Sequence, residues 1–166
     1  MKYLAFLLLS ILTPLHCVAQ SLSEIPVGGQ LTDIYMRGLT TSPGLFSNFQ
    51  GKPLIINVWA SYCSPCLKEM ASLENLYQHF QGNVQMIGIS IDDYPERAFG
   101  FLNKTDTSFQ HYIDYQLELE TMLGANTIPL TVFVDKNGMI LRKVRGAKPW
   151  DSRKNRAEIS QLLGLN

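Results

Sequence analysis

Cys63 and Cys66 stand two residues apart, directly behind the apolar run Leu54-Ile-Ile-Asn-Val58, in the stretch Trp59-Ala-Ser-Tyr-Cys-Ser-Pro-Cys66. That placement leaves few architectures open. A nearly continuous apolar run reads as a strand covered on both faces. The spacing of Met70, Leu73, Tyr77 and Phe80 marks one face of a helix over Ser64 to Gln81. Cys63 then falls at the strand-to-helix turn, where the unpaired N–H groups of the first helical turn point at its sulfur. Pro65 suits that first turn, because its missing N–H has no partner to lose there.

The placement implies an activated thiol. A free cysteine, with pKa about 8.5, is only a few per cent thiolate at pH 7, whereas Cys-X-X-Cys sites bring the first sulfur to about 7 or lower. A drop of about 1.5 units needs roughly 2 kcal/mol in favour of the anion, and a helix dipole supplies about 0.3 to 1 kcal/mol. The remainder is expected from direct hydrogen bonds, from the Cys66 N–H or S–H to the Cys63 sulfur. Cys66, one turn further in, is expected to be the buried partner.

Other uses of the pair are weaker. Zinc needs two more ligands, and neither His79 nor His111 has ligand spacing to the cysteines. Haem attachment needs a histidine after the second cysteine, and position 67 is Leu. A purely structural disulfide is the bland alternative, but so short a loop gains little from cross-linking. Redox exchange is the favoured reading.

The chain opens on Met1-Lys-Tyr-Leu-Ala-Phe-Leu-Leu-Leu-Ser-Ile-Leu-Thr-Pro-Leu, one positive charge followed by a short apolar run that Pro14 and His16 interrupt. This is shorter than the roughly 20 residues of a membrane span and reads as a signal peptide over residues 1–19, cleaved after Ala19. An uncleaved anchor and a lipidated Cys17 are the rival readings. Export places the protein in the periplasm or outside the cell, where a disulfide persists. Residues 20–166 then form one domain. With 14 basic and 14 acidic residues and no long charge block, nothing points to a nucleic-acid partner.

Residues 20–30, ending in Pro26-Val-Gly-Gly, read as a mobile lead-in, and Leu31 to Met36 as a short strand ahead of the core. Thr40 to Asn48 is turn-rich. Val84 to Ile91 is a second apolar strand, Glu96 to Asn103 a helix, His111 to Tyr115 a short strand, and Glu118 to Leu123 a short helix stopped by Gly124. Strands alternating with helices imply parallel pairing through right-handed crossovers. Asn137-Gly138 between apolar runs signals a hairpin, making the last two strands antiparallel. Asp151 or Ser152 can cap a closing helix that turns Ile159, Leu162 and Leu163 inward.

Taken together, Gly51-Lys-Pro-Leu-Ile-Ile-Asn-Val-Trp-Ala-Ser-Tyr-Cys-Ser-Pro-Cys-Leu-Lys-Glu-Met, Ile-Pro-Leu-Thr-Val-Phe-Val-Asp and the Gly146 to Trp150 lead resemble the TlpA/ResA-type thiol:disulfide oxidoreductases of the thioredoxin superfamily, over roughly Leu31 to Leu163. The resemblance implies an α/β thioredoxin-like fold: a central mixed sheet flanked by helices, with an N-terminal strand extension and a central insert. It implies Cys63 as attacking and Cys66 as resolving thiol, and no cofactor or metal beyond their redox-active disulfide. Pro129 matches the family's cis-proline. A cis Ile128–Pro129 bond leaves Ile128 backbone groups free to pair with a substrate strand. Tyr62, Ser64 and Pro65 complete the expected substrate-positioning set, and Trp59 is expected to pack beneath the site, with a contact to substrate as the alternative.

Departures from the family pattern also carry expectations. Asn57 stands where thioredoxin has a buried aspartate that assists proton transfer, so that role must be filled elsewhere or by water. Asp93 is the nearest match to an acid of the central insert and is the candidate proton-transfer residue. Tyr62 replaces the family's usual Trp, and Ala71 a helix-kinking proline. Glu69 and Glu74 read as solvated helix carboxylates, and His79 and His111 as ordinary histidines. The expected partners are protein disulfides and a membrane-linked electron donor, with reduction favoured and cytochrome c maturation the commonest task. An oxidase or isomerase, and a non-catalytic binding module, are the alternatives.

Overall fold

The structure is a computed structural model that describes residues 23–165; the expected leader, its cleavage site and Cys17 lie outside them. Seven strands form one mixed sheet. In chain order the elements are β1 (Tyr35–Gly38), β2 (Gly44–Leu45), β3 (Leu54–Trp59), α1 (Ser64–Phe80), β4 (Gln85–Ser90), α2 (Pro95–Leu102), β5 (Gln110–Ile113), α3 (Glu118–Leu123), β6 (Leu130–Val134), β7 (Ile140–Arg145) and α4 (Arg153–Leu163). The sheet order is β2-β1-β5-β4-β3-β6-β7.

β3 and β6 are buried along their whole length, as apolar runs without polar alternation require. β3 pairs in parallel with β4 and β4 with β5, so the carboxyl ends of all three open onto one edge. β6 runs antiparallel to β3, with Val58 opposite Leu130, and this register brings Pro129 to the β3 end that leads into Cys63. The hairpin to β7 is antiparallel. Gly138 takes the positive φ of 91° that its turn requires. Asp135 Oδ1 accepts the N–H groups of Asn137 and Met139, each at 2.8 Å. Ser152, not Asp151, caps α4 through the Asn155 N–H at 3.2 Å.

Two N-terminal expectations are corrected. The lead-in is docked: Ile25 N–H donates to Met122 O at 2.9 Å, Gly28 N–H to Ile140 O at 2.8 Å and Leu31 N–H to Gly138 O at 2.9 Å. Its backbone groups find partners on β7 and α3, which local composition does not record. The extension strand also starts later than Leu31. Met36, wholly buried, anchors it, while Arg37 and Gly38 pair with Ile113 and Tyr112 of β5.

Behind the sheet, His111 on β5 is 1% exposed and packs edge-on against Trp59. Gly88 leaves room for both rings, since a Cβ there would run into His111 Nδ1 and Trp59 Nε1. Burial lowers the imidazole pKa to about 4, against the opposing pull of Glu74. From its ordinary value of 6.5 down to about 4, the unfolded chain therefore takes up a proton that the fold refuses. Stability is full above that window and falls with pH through it, by roughly 3 kcal/mol in all. Urea unfolding at pH 7 and pH 4.5 should show this loss in the wild type and a smaller one in His111→Phe. The carboxyls that burial shifts upward, Glu69 and Asp114, are common to both proteins, so the difference isolates the histidine.

Candidate active site

β3 ends at Trp59 and α1 begins at Ser64, so the intervening turn presents Cys63 as the N-cap of a 17-residue helix. Cys63 is 7% exposed and Cys66 fully buried, and the two are joined in a disulfide. The Cys66 backbone N–H donates to the Cys63 sulfur at 3.2 Å, the bond expected from the sequence. In the reduced protein that donor and the helix mouth both favour charge on Cys63. Cys66 has neither solvent nor a free helix end, so a proton leaving it needs an acceptor inside the protein.

Glu69 sits one turn beyond Cys66 and is 2% exposed, contrary to the solvated helix carboxylate expected. The helix carries Cys66, Glu69, Met70, Leu73, Leu76 and Phe80 on its buried side. Asn57 Nδ2 donates to Glu69 Oε1 at 2.9 Å; Trp150 Nε1 and the Lys148 N–H donate to Oε2 at 2.9 and 3.2 Å. Burial pushes the Glu69 carboxyl pKa up, against the downward pull of the Trp150, Asn57 and Lys148 donors. Asn57, for its part, also donates to Thr131 Oγ1 at 3.1 Å. A raised, buried carboxyl tied to Asn57 thus sits one helical turn from the resolving cysteine, on the buried side of the same helix.

The remaining expected residues divide by exposure. Tyr62, Ser64 and Pro65 are exposed around Cys63, with Tyr62 at 70%. Burial raises the Tyr62 phenol pKa, followed by the charges of Asp92, Glu120 and Asp93, so those acids face the rim of the site. Ile128 is half-buried, Pro129 is buried, and the bond between them is cis. Gly146 N–H donates to Pro129 O at 2.8 Å, fixing this loop to the end of β7. Trp59 packs beneath the site and has no surface for a substrate contact. It is 0% exposed and stacked on Phe101 with ring centroids 4.5 Å apart, because its position on β3 turns the ring under α2.

Asp93 is exposed, and the buried acid of that turn is its neighbour Asp92, at 1% exposure. Sequence reasoning passed over Glu69, Asp92 and Trp150. For Glu69 the signal was present, since its three-residue spacing from Cys66 puts it on the apolar stripe side of the helix. For Asp92 and Trp150 no local pattern separates a buried polar anchor from a surface one. Among the described residues, no cluster of His, Cys, Asp and Glu has the makings of a metal site.

Known proteins share this arrangement. The thiol-disulfide oxidoreductase ResA of Geobacillus thermodenitrificans is 24% identical over 137 residues, covering 82% of this chain and 79% of its own. Among solved structures, one described as a thiol:disulfide interchange protein DsbE from Chlorobium tepidum superposes with a TM-score of 0.77 at 22% identity, covering 85% of this chain and all of its own. A secreted Mycobacterium tuberculosis disulfide oxidoreductase homologous to E. coli DsbE gives 0.65 at 20% identity, covering 80% of this chain and 96% of its own. The Redoxin family model matches residues 27–163, from the docked lead-in through the Cys63–Cys66 turn to the last residue of α4. On that match the chain belongs to the Redoxin family, and it is a thiol:disulfide oxidoreductase of the thioredoxin superfamily.

Proposed function

We propose that the protein is an exported reductase of protein disulfides, with Cys63 as attacking and Cys66 as resolving thiol. The Cys63 thiolate attacks one sulfur of a substrate disulfide; that bond breaks, and the departing substrate sulfur takes a proton. Cys66 then gives up its proton, and its sulfur attacks Cys63 in the mixed disulfide. The second substrate thiol leaves, and two electrons have passed to the substrate as the Cys63–Cys66 disulfide forms. Glu69 is the group we assign to the Cys66 proton, directly or through Asn57 or a water. Tyr62, Ser64, Pro65, Ile128 and Pro129 form the surface along which the substrate segment lies. Asp93, exposed near Tyr62, is placed to meet that segment or to relay a proton from solvent.

The observation that carries the direction is the pair of buried carboxylates near the redox turn, Glu69 and Asp92, to which no cationic side chain is bonded among the described residues. Negative neighbours disfavour a thiolate, and a less stabilised reduced state makes the pair more reducing. Reductase turnover in an oxidising compartment requires a membrane-linked electron donor. Cytochrome c maturation is the task we assign, with the cysteine pairs of the apoprotein as substrates. The secreted relative and the leader-like first residues support export.

The test is the reduction potential together with the resting redox state in the cell. The expected value lies nearer the roughly −270 mV of thioredoxin than the roughly −120 mV of DsbA, with a mainly reduced resting pool. A potential near the oxidising value, or a permanently oxidised pool, contradicts reductase.

A further inference from the structure

Asp92, one of the two buried carboxylates near the redox turn, is bonded to the loop that presents Cys63. It follows β4, the neighbour of β3, and Ser61 lies two residues before Cys63. Asp92 Oδ2 accepts the Ser61 backbone N–H at 2.9 Å and the Ser90 hydroxyl at 2.7 Å; Oδ1 accepts the Ser61 hydroxyl at 2.6 Å and approaches the same N–H at 3.2 Å. The Asp92 N–H returns to Ser90 Oγ at 3.1 Å, and the Ile91 N–H donates to Trp59 O at 3.0 Å. The segment entering the Cys63 turn is thus tied at two points to the loop after β4. Cys63 N–H closes the turn on Ala60 O at 3.0 Å.

We propose that Asp92 is a positioning residue of the redox site: it braces the loop that presents Cys63 and sets behind that sulfur a negative charge that holds the pair reducing. This rests on Cys63 being the attacking thiol. Every donor to the carboxylate is neutral, and among the described residues no salt bridge reaches it. Its field is therefore offset by dipoles and not cancelled by a cation. Tyr62, the residue before Cys63, follows directly on the Ser61 that Asp92 holds, and its phenol pKa is raised by burial first and by the Asp92 charge second.

The other charges around Cys63 are few. From the same loop comes Asp93, which is exposed; α3 contributes the half-buried Glu120; and α1 contributes the exposed Lys68. The loop of Asn126, Thr127 and Ile128 carries none. Directly after β5 comes the buried Asp114, whose N–H donates to Ser90 O at 2.8 Å and whose carboxylate accepts the Glu118 and Glu120 N–H groups. Exposed charges are screened by water and salt, which leaves Asp92, Glu69 and Asp114 as the buried carboxyls of this region, of which Asp92 is the one bonded to Ser61.

A brace alone and a brace that also sets charge make different predictions. Asp92→Asn keeps an acceptor for Ser61 and can donate to Ser90, but it removes the charge. The pH midpoint for alkylation of Cys63 in the reduced protein should fall by about one unit, a tenfold gain in thiolate dissociation. The potential should rise by about 30 mV, the equivalent of tenfold for a two-electron couple. The melting temperature should stay close to wild type, and Asp93→Asn should move the midpoint by less than half as much.

Ser61→Ala carries the same question should Asp92→Asn not fold. It leaves the carboxylate with one donor fewer, so the less-offset charge should move the Cys63 midpoint to higher pH, by about twofold in dissociation. Opposite shifts in these two variants support the proposal. A midpoint unmoved by either substitution, with only the melting temperature lowered, overturns it while leaving Cys63 as nucleophile. A wild-type midpoint at the ordinary cysteine value removes both readings.

Discussion

Cys66→Ala is expected to turn the enzyme into a trap. Attack by Cys63 still proceeds, but no second sulfur is present to break the mixed disulfide. Substrates should therefore accumulate as covalent adducts that dithiothreitol releases. Cys63→Ser should form no adduct and lose turnover by at least about a thousandfold, because Cys66, with 0% exposure, cannot reach an external disulfide. Non-reducing electrophoresis of cells carrying each variant separates the roles. The asymmetry follows from one helix: its N-cap holds one sulfur at the surface with a backbone donor on it, and its first turn buries the other. Equal trapping by both single variants would mean that the sulfurs are interchangeable, which their burial contradicts.

Glu69 carries the second large effect, and two substitutions separate its chemistry from its structural part. Glu69→Gln removes the proton acceptor and keeps the side-chain shape. The step that resolves the mixed disulfide should slow by about a hundredfold, the lower end of general-base effects, while the initial attack by Cys63 changes little. In single-turnover reduction of a peptide disulfide the mixed intermediate should become visible. Glu69→Ala goes further, because in a buried place Trp150 Nε1 loses its acceptor and Asn57 Nδ2 keeps only Thr131 Oγ1 of its two. A cost of about 3 kcal/mol is expected from these losses, read as a lower urea midpoint. If Glu69→Gln resolves at the wild-type rate, the carboxylate has no part in moving the Cys66 proton.

Glu69 also shows where sequence reading stops. The helical stripe through Cys66, Met70 and Leu73 was legible, and a residue one turn beyond Cys66 lies on the same side of α1. What hid the glutamate was its chemistry. A carboxylate is ordinarily solvated, and here burial is made tolerable by Asn57 on β3 and by Trp150 and the Lys148 N–H of the segment before α4, two stretches far apart in the chain. The strand-to-helix turn around Cys63, the antiparallel hairpin through Asn137-Gly138 and the stop at Gly124 rest on local rules, and the fold follows them. The docking of Ile25 and Gly28 and the burial of Asp92 depend on tertiary partners that no local window contains. Trp59, the last residue of an apolar strand, packs beneath the site, with its ring stacked on Phe101 of α2.

The same buried groups tie stability to function. Burial shifts Glu69 and Asp114 upward and His111 downward, so the fold disfavours the charged form of each. These shifts belong to the layers between sheet and helices, while Cys63 keeps its small window to solvent at their edge. Redox chemistry at that window is thereby separated from the packing that supports it.

The most direct measurement is the rate of alkylation of Cys63 in the fully reduced protein as a function of pH, with Cys66 resolved from it by peptide mass spectrometry. The structure predicts a midpoint for Cys63 at about 7 or below, with Cys66 unreactive until well above it. A Cys63 midpoint at about 8.5, the value of an unassisted thiol, would contradict the activation of that sulfur by the helix mouth and the Cys66 N–H.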